Sequence, residues 1–411
     1  MTAGTALAAA LAGWRPEEIV IAVSGGGDSL ALMHLAADWA AGAPLLAVTV
    51  DHGLRRESAA EARQVAGAAA ARGIRHETLC WRGWDGRGNL QAAAREARHA
   101  LIADRARAEG RRAVLLGHTR DDQAETVLMA LARAAGPDGL SAMAAARQAR
   151  GVHWLRPLLG VGRDELRAEL RRRGTGWAED PTNDDPRFER VRVRRALAAL
   201  APLGLDAPAL AAVAGRMQQV RAALDDGALV LARRAARIDG ADVVLDDAAL
   251  AAAPAELVRR LLADAVWFVS GATQPPRGRA LAAARAALDA SGRATVAGCL
   301  LAREDGRLRV MREYAAVTPL RCAAHEPWDG RWRLDGPPPP AGAHLAALGE
   351  AGLGACPPAM PRPARPRESL IAEPALWQGP RLLAPLLWDS ARWHATRLPG
   401  PGHLIARIGA H

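Results

Sequence analysis

The 411-residue chain has no lysine: all 54 of its basic residues are arginine. A Walker A phosphate loop needs a lysine after its last glycine, so that loop is excluded. Schiff-base chemistry and a nucleophilic protein side-chain amine are excluded with it. Aromatics other than tryptophan are scarce, with two Phe and one Tyr against 12 Trp. Any base stacking would therefore fall to Trp, His or Arg. Most of the tryptophans read as core, and Trp177, in a loop near an arginine-rich helix, is the exception. The four cysteines, Cys80, Cys299, Cys322 and Cys356, are scattered and none forms a C-x-x-C pair. That spacing argues against a disulfide framework and a structural zinc site. No apolar run approaches the ~18 residues of a membrane span, and no basic segment precedes an apolar one near the N-terminus. The expectation is a soluble cytoplasmic protein with no membrane partner.

The net charge is +10. Residues 1–200 hold 29 Arg against 24 acids, and residues 201–411 hold 25 against 20. Both halves are mildly basic, which suits a polyanion that spans the molecule, and nucleic acid is the simplest such partner. Arginine in place of lysine, with abundant Ala, Gly and Pro, also reflects the bias of a GC-rich genome.

From residue 18 to about 160 the pattern alternates between strand and helix. Apolar runs at Ile19–Val23, Leu45–Val50 and Ala113–Leu116 read as buried parallel strands. His76–Cys80 reads as a short strand. Helices are expected over Ser58–Arg72, Asn89–Glu109 and Gln123–Ala135. This order predicts a doubly wound parallel α/β sheet, with ligands at the carboxyl ends of its strands. Three such ends carry polar clusters: Ser24–Ser29, Asp51-His52 and His118–Asp122. Further on, Arg163–Arg173 and Phe188–Leu200 read as helices. Residues 205 to about 290 are Ala/Leu/Arg-rich and helical, with one candidate strand at Val243-Val244-Leu245. Asp305-Gly306 reads as a hairpin turn. Proline runs at Pro337–Pro340 and Pro361–Pro366 read as stiff surface segments or a linker. Three domains are expected, at 1–200, 201–290 and 291–411: an α/β domain, a helical middle domain and a smaller α+β C-terminal domain.

Ser24-Gly25-Gly26-Gly27-Asp28-Ser29 is the most informative stretch. A strand, three glycines and a helix with Asp and Ser at its mouth make a phosphate cradle. Glycine lets backbone N–H groups approach a phosphate, and the helix N-terminus offers unpaired donors. A glycine-rich βα turn of any doubly wound fold is the plainer reading. Asp122 and Glu125, three apart on a helix, share a face that suits one ammonium group, or simply form a solvated first turn favoured by the dipole.

The loop resembles the SGGxDS signature of the PP-loop ATP pyrophosphatases, which have an adenine nucleotide alpha-hydrolase-like fold. Further motifs follow in order: Asp51-His52-Gly53-Leu54-Arg55-Arg56-Glu57-Ser58, Asn89-x-Gln91-x-x-Ala94-Arg95-x-x-Arg98 and Gly117-His118-Thr119-Arg120-Asp121-Asp122-Gln123-Ala124-Glu125-Thr126. Gly139-Leu140, Arg156-Pro157-Leu158-Leu159 and Glu179-Asp180-Pro181-Thr182-Asn183, with Arg190 and Arg194, complete the series. Across roughly 18–200 it is similar to the bacterial tRNA(Ile)-lysidine synthases. Gly298-Cys299, Leu308–Glu313 and Pro374-Ala375-Leu376-Trp377 resemble that family's C-terminal portion more weakly.

The resemblance implies a ligase forming a C–N bond. ATP adenylates C2 of the wobble cytidine in a CAU-anticodon tRNA(Ile), pyrophosphate leaves, and free L-lysine displaces AMP to give lysidine. Codon reading changes from AUG to AUA, and aminoacylation from Met to Ile. It also implies roles. Ser24, Gly25, Gly26, Gly27, Asp28 and Ser29 hold ATP, and Asp28 holds Mg²⁺. Asp122 and Glu125 bind lysine. Asp28, His118, Arg98 and Arg190 are catalytic, and the two C-terminal domains contact the tRNA. A homodimer is left open. The alternatives are a PP-loop tRNA sulfur transferase and a non-catalytic nucleotide-sensing RNA-binding protein. Cys80, the one cysteine before residue 200, argues against sulfur chemistry, which usually uses paired cysteines or a cluster. Carboxylates at a phosphate-rich edge argue against RNA binding alone. Many relatives carry a second His where this chain has Thr119, and an Asn where it has Val191.

Overall fold

The computed structural model describes residues 2–53, 58–84, 86, 88–178, 187–388, 392–400 and 402–408. Leu54–Glu57 and the Glu179–Asn183 motif lie outside the described residues. The chain divides into two compact units, Met1–Arg221 and Ala222–His411.

The first unit runs α1 (Ala3–Ala10), β1 (Ile19–Ala22), α2 (Gly27–Ala40), β2 (Leu46–Asp51), α3 (Ser58–Ala70), β3 (Arg75–Cys80), α4 (Leu90–Ala108) and β4 (Ala113–Leu115). It continues through α5 (Arg120–Ala132), α6 (Pro137–Leu140), β5 (Ala146–Ala149), β6 (Val152–Leu155), α7 (Arg163–Arg172) and α8 (Glu189–Leu200) into α9 (Ala207–Ala235). The sheet order is β3-β2-β1-β4-β6-β5. All neighbours are parallel except β5 and β6, an antiparallel hairpin at one edge.

Alternation along the strands explains the two helical layers. Ile19, Ile21, Ala47, Ala113 and Leu115 face a core shared with α1, α2, α3 and α7. Val20, Leu46, Val48 and Val114 face the opposite core, closed by Ile102, Ala103 and Ala106 of α4. Strands buried on both sides have no polar alternation, which is why these runs are continuously apolar. Truncating fully buried Leu115 to Ala would cost about 2–5 kcal/mol. From β1 the chain builds outward through β2 and β3, then returns to add β4 on the other side of β1. The gap between the ends of β1 and β4 is thus the switch point where such sheets bind ligands.

The second unit holds β7 (Ala236–Asp239), β8 (Asp242–Asp246), α10 (Asp247–Ala251), α11 (Ala255–Ser270), α12 (Gly278–Ser291), β9 (Arg293–Val296), β10 (Cys299–Glu304) and β11 (Arg307–Arg312). These strands form one antiparallel sheet in the order β7-β8-β11-β10-β9. The division expected at 290/291 cuts through this sheet, because β7 and β8 precede it and β9–β11 follow. Leu261, Val266 and Leu281 of α11 and α12 bury their apolar faces against Val243, Leu301 and Val310. The expected helical middle is therefore a layer of the same unit. Asp305 and Gly306 both have positive φ (51° and 70°), as the predicted two-residue hairpin turn requires. Beyond them lie a four-stranded sheet (321–323, 343–347, 374–378 and 381–385) and a two-stranded one (332–335 with 394–397). The proline runs fall inside this unit, and the Pro337 carbonyl accepts a 2.9 Å bond from Trp393 Nε1.

Candidate active site

A cavity of about 880 Å³ opens at the switch point. Its floor is the glycine loop. Gly25 takes φ +89°, a left-handed conformation that favours glycine. Ser29 Oγ accepts from Ser24 N (3.1 Å) and donates to the Gly26 carbonyl (2.9 Å), which folds the loop back on the first turn of α2. No side chain caps the α2 N-terminus, so its first N–H groups remain available to an anion. The Trp177 ring roofs the loop: a Cβ on Gly27 would lie 3.4 Å from it, and Ala178 N donates to the Gly25 carbonyl (3.2 Å). Trp177 is thus part of the cavity wall. Across the gap, a Cβ on Gly117 would lie 3.0 Å from the Asp28 carbonyl oxygen and the Ser29 Cα. Only glycine lets the end of β4 approach α2 so closely.

Asp122 and Glu125 are positioned by the start of α5. Thr119 is its N-cap, fully buried, and Asp122 closes a capping box. Asp122 Oδ2 accepts from Thr119 N (2.8 Å) and Thr119 Oγ1 (2.9 Å), which leaves Oδ1 for another donor. The residue that departs from the family's second His therefore fixes the carboxylate beside it. Asp121 also lines the cavity, but its Oδ2 is spent on Arg163 N (2.7 Å), which ties α7 to α5.

Arg163, which sequence reading passed over, gathers the acids. Its Nε donates to Asp28 Oδ2 (3.2 Å), and its Nη2 donates to Asp122 Oδ1 (3.4 Å) and Glu125 Oε1 (3.3 Å). Arg194 Nε also donates to Glu125 Oε1, at 2.7 Å. Glu125 Oε2 is buried without a partner among the described residues. Burial pushes the Asp28 carboxyl up, Arg163 opposes it, and Asp122 adds to the rise. Burial would pull Arg163 down, but Asp122, Asp28 and Glu125 hold its guanidinium well above the ordinary range. One signal for Arg163 was available in the sequence: a cation in the first turn of a helix opposes the dipole and implies acids nearby.

The opposite wall is basic. Arg95 and Arg98 of α4 line the cavity with His118. Among the described residues, the side chains of Arg95, Arg98, Arg147 and Arg190 make no hydrogen bond or ion pair. Burial lowers the Arg95 guanidinium, and Arg190 and Arg147 lower it further; burial and then Arg95 lower Arg98. Burial also pushes His118 down to about 4, with Asp122 opposing and Arg156, Arg190 and Arg95 adding to the fall. Arg156 Nε donates to His118 Nδ1 (3.3 Å), so the neutral ring carries its proton on Nε2.

Of the residues expected from sequence, Ser24, Gly26, Gly27, Asp28, Ser29, His118, Asp122 and Arg98 line the cavity. Gly25 and Glu125 lie just behind the wall, and Arg190, on α8, does not line it but acts electrostatically on His118. Among the described residues no three His, Cys, Asp or Glu side chains group as a metal site. Asp28, half-buried on the cavity wall, offers one carboxylate, which suits a Mg²⁺ whose other ligands are phosphate oxygens and water. No single described helix is long and apolar enough to cross a membrane.

Comparisons with known proteins agree with this picture. A family model described as the PP-loop domain matches residues 3–201. The chain is 47% identical to the tRNA(Ile)-lysidine synthase of Ruegeria pomeroyi over 96% of this chain and 95% of that protein. It is 42% identical to the enzyme of that name from Bradyrhizobium diazoefficiens, over 71% of this chain and 89% of the relative. A Methylobacterium sp. enzyme of the same name is 41% identical, over 74% and 91%. On the length and level of this similarity, the chain belongs to the tRNA(Ile)-lysidine synthase family.

Proposed function

We propose that this protein ligates free L-lysine to C2 of the wobble cytidine of a CAU-anticodon tRNA(Ile), using ATP and releasing AMP and pyrophosphate. One observation carries the reading: the cavity has one wall of carboxylates gathered on Arg163 and another where Arg95 and Arg98, among the described residues, pair with no acid. ATP phosphates take the loop N–H groups and the α2 N-terminus. Asp28 holds the Mg²⁺ that accompanies ATP, which neutralises phosphate charge when bound. Arg98 faces the charge that develops on the adenylated cytidine, where donors in a partly desolvated site act most strongly, and Arg190 adds its positive field from outside the lining. His118, neutral with its proton on Nε2, donates a hydrogen bond to the α-phosphate. Asp122 Oδ1 and the Glu125 carboxylate receive the lysine ammonium. That amine must lose a proton before it attacks. The second unit and α9 hold the tRNA body, in keeping with a positive balance in both halves of the chain.

The lysine-free composition supports an external nucleophile, because no side-chain amine of the protein can compete. Cys80 is free, and no other cysteine lies in the first unit, so a paired-cysteine sulfur transfer has no second thiol there. The test is incubation with ATP, radiolabelled lysine and individual tRNAs. Label entering the CAU-anticodon tRNA(Ile) alone is the expected result. Label in none, or in every tRNA alike, rejects the reading.

A further inference from the structure

The cation at the centre of the acidic wall belongs to the protein itself. Arg163 spends its guanidinium on three carboxylates from two helices, with one bond to each and all three at 3.2–3.4 Å. Buried structural arginines elsewhere in this chain behave differently. Arg309 reaches Asp242 at 2.7 Å and Asp239 at 2.8 Å, and Arg312 grips Asp329 with two nitrogens at 3.0 Å. Short and paired contacts are the strong ones. The Arg163 contacts are long and single, and its side chain keeps 18% of its surface exposed on the cavity wall.

The carboxylates beneath it have capacity to spare. Glu125 is 1% exposed, yet its Oε2 has no partner among the described residues. Asp122 Oδ2 is committed to the Thr119 cap, so Asp122 presents only Oδ1, and Oδ1 is spent on Arg163. An ammonium group has three N–H donors on a compact head, whereas a guanidinium is a broad planar fork. At this spot an ammonium can take Asp122 Oδ1 and both Glu125 oxygens. Arg194, at 2.7 Å from Glu125 Oε1, stays to balance the remaining charge.

We propose that Arg163 is a displaceable internal cation, which neutralises Asp28, Asp122 and Glu125 in the unliganded protein and yields Asp122 and Glu125 to the ammonium of the incoming lysine. This rests on the assignment of lysine to Asp122 and Glu125. Arginine suits the task because it keeps its proton at any accessible pH, so a guanidinium held beside an activated carbon cannot act as the nucleophile. Displacement also couples two sites. A guanidinium released from Asp122 and Glu125 is free to turn toward the ATP phosphates.

The test is Arg163→Gln in the full chain, assayed with ATP, Mg²⁺, CAU-anticodon tRNA(Ile) and labelled lysine. Removal of the competing cation should lower the lysine KM by about fivefold or more, while the ATP KM does not fall. A lysine KM that stays the same or rises overturns the proposal, and so does a parallel fall in both KM values. The wild-type protein is the control. If it incorporates no lysine, the functional assignment itself fails; if it does, the result for the variant judges Arg163 alone. Should Arg163→Gln not fold, wild-type protein treated with an arginine-selective dicarbonyl answers the same question. Lysine alone should raise the modification of Arg163 several-fold, measured by peptide mass spectrometry. Unchanged or reduced modification overturns the proposal.

Discussion

In the second unit, most buried guanidinium groups end on carboxylates; Arg397, which donates to the Phe268 carbonyl, is an exception. Arg309, Arg312 and Arg331 reach Asp242, Asp329 and Asp329 at 2.6–3.0 Å. In the first unit, Arg95 and Arg98 line one wall of the cavity, Arg147 and Arg190 add their charge to Arg95, and among the described residues none of the four ends on a carboxylate. Closed pairs hold a fold together, and breaking one strands a buried charge. Open cations of like sign repel one another, and that cost is recovered when an anion arrives. The same residue type is mortar in the second unit, whereas the first unit uses it both ways: Arg105 and Arg173 are paired, and Arg95 and Arg98 are left to face the cavity.

The largest expected effect breaks the functional half of this contrast. Asp28→Ala should cut lysine- and tRNA-dependent pyrophosphate release by about 10³-fold or more, with tRNA binding unchanged within about twofold. Normal turnover in that variant would sink the assignment of Asp28. Next in size is a stability contrast between two arginines. Arg309→Gln should destabilise the protein by about 3–5 kcal/mol in chemical denaturation, because it strips the buried Asp242 of its guanidinium partner, while Asp239 keeps Arg237. Arg98→Gln should change stability by less than about 1 kcal/mol while lowering turnover. Equal losses in the two variants would erase the distinction drawn between the units.

The smallest effects are in the pH dependence of melting, and the units should respond in opposite directions. His118, pushed down to about 4 from its ordinary 6.5, stabilises the fold above 6.5, and that contribution is lost as pH falls toward 4. Glu373 is pushed up to about 8 from its ordinary 4.5 by burial, against the pull of Arg365. Its contribution is fully present below 4.5 and is lost as pH rises through 8. Thermal melts from pH 4 to 9 should show His118→Asn flattening the acid limb and Glu373→Gln the alkaline limb. If both variants alter the same limb, the charge environments have been misread.

Much of the first unit was legible in the sequence because its strands are buried on both faces. Ile19–Val23 and Ala113–Leu116 could hardly be anything but central strands, and the glycine loop between strand and helix followed. Asp122 and Glu125 share a face by helical spacing, and both reach Arg163. The β5–β6 hairpin escaped because its turn is Arg150-Gly151, with φ of 56° and 74°, where Asn-Gly or Asp-Gly would have announced it. Arg163 escaped because it lies 135 residues from Asp28, a distance that only the folded sheet closes. In the second unit, strands of three to six residues divided by Ala, Pro and Trp carry little periodicity. The sheet that spans residue 290 therefore leaves no mark in the sequence there, where composition alone suggests a boundary.

The close approach at Gly117 has a mechanical consequence. With no side chain between them, the end of β4 and the first turn of α2 meet as backbone against backbone. A gap already closed cannot close further when a ligand arrives, so the glycine loop and the segment that carries His118 behave as one stiff anvil. Travel during the reaction cycle is then left to groups outside that contact, among them the long arginine side chains of the opposite wall. The site has a fixed bed on that side, against which charged groups can turn.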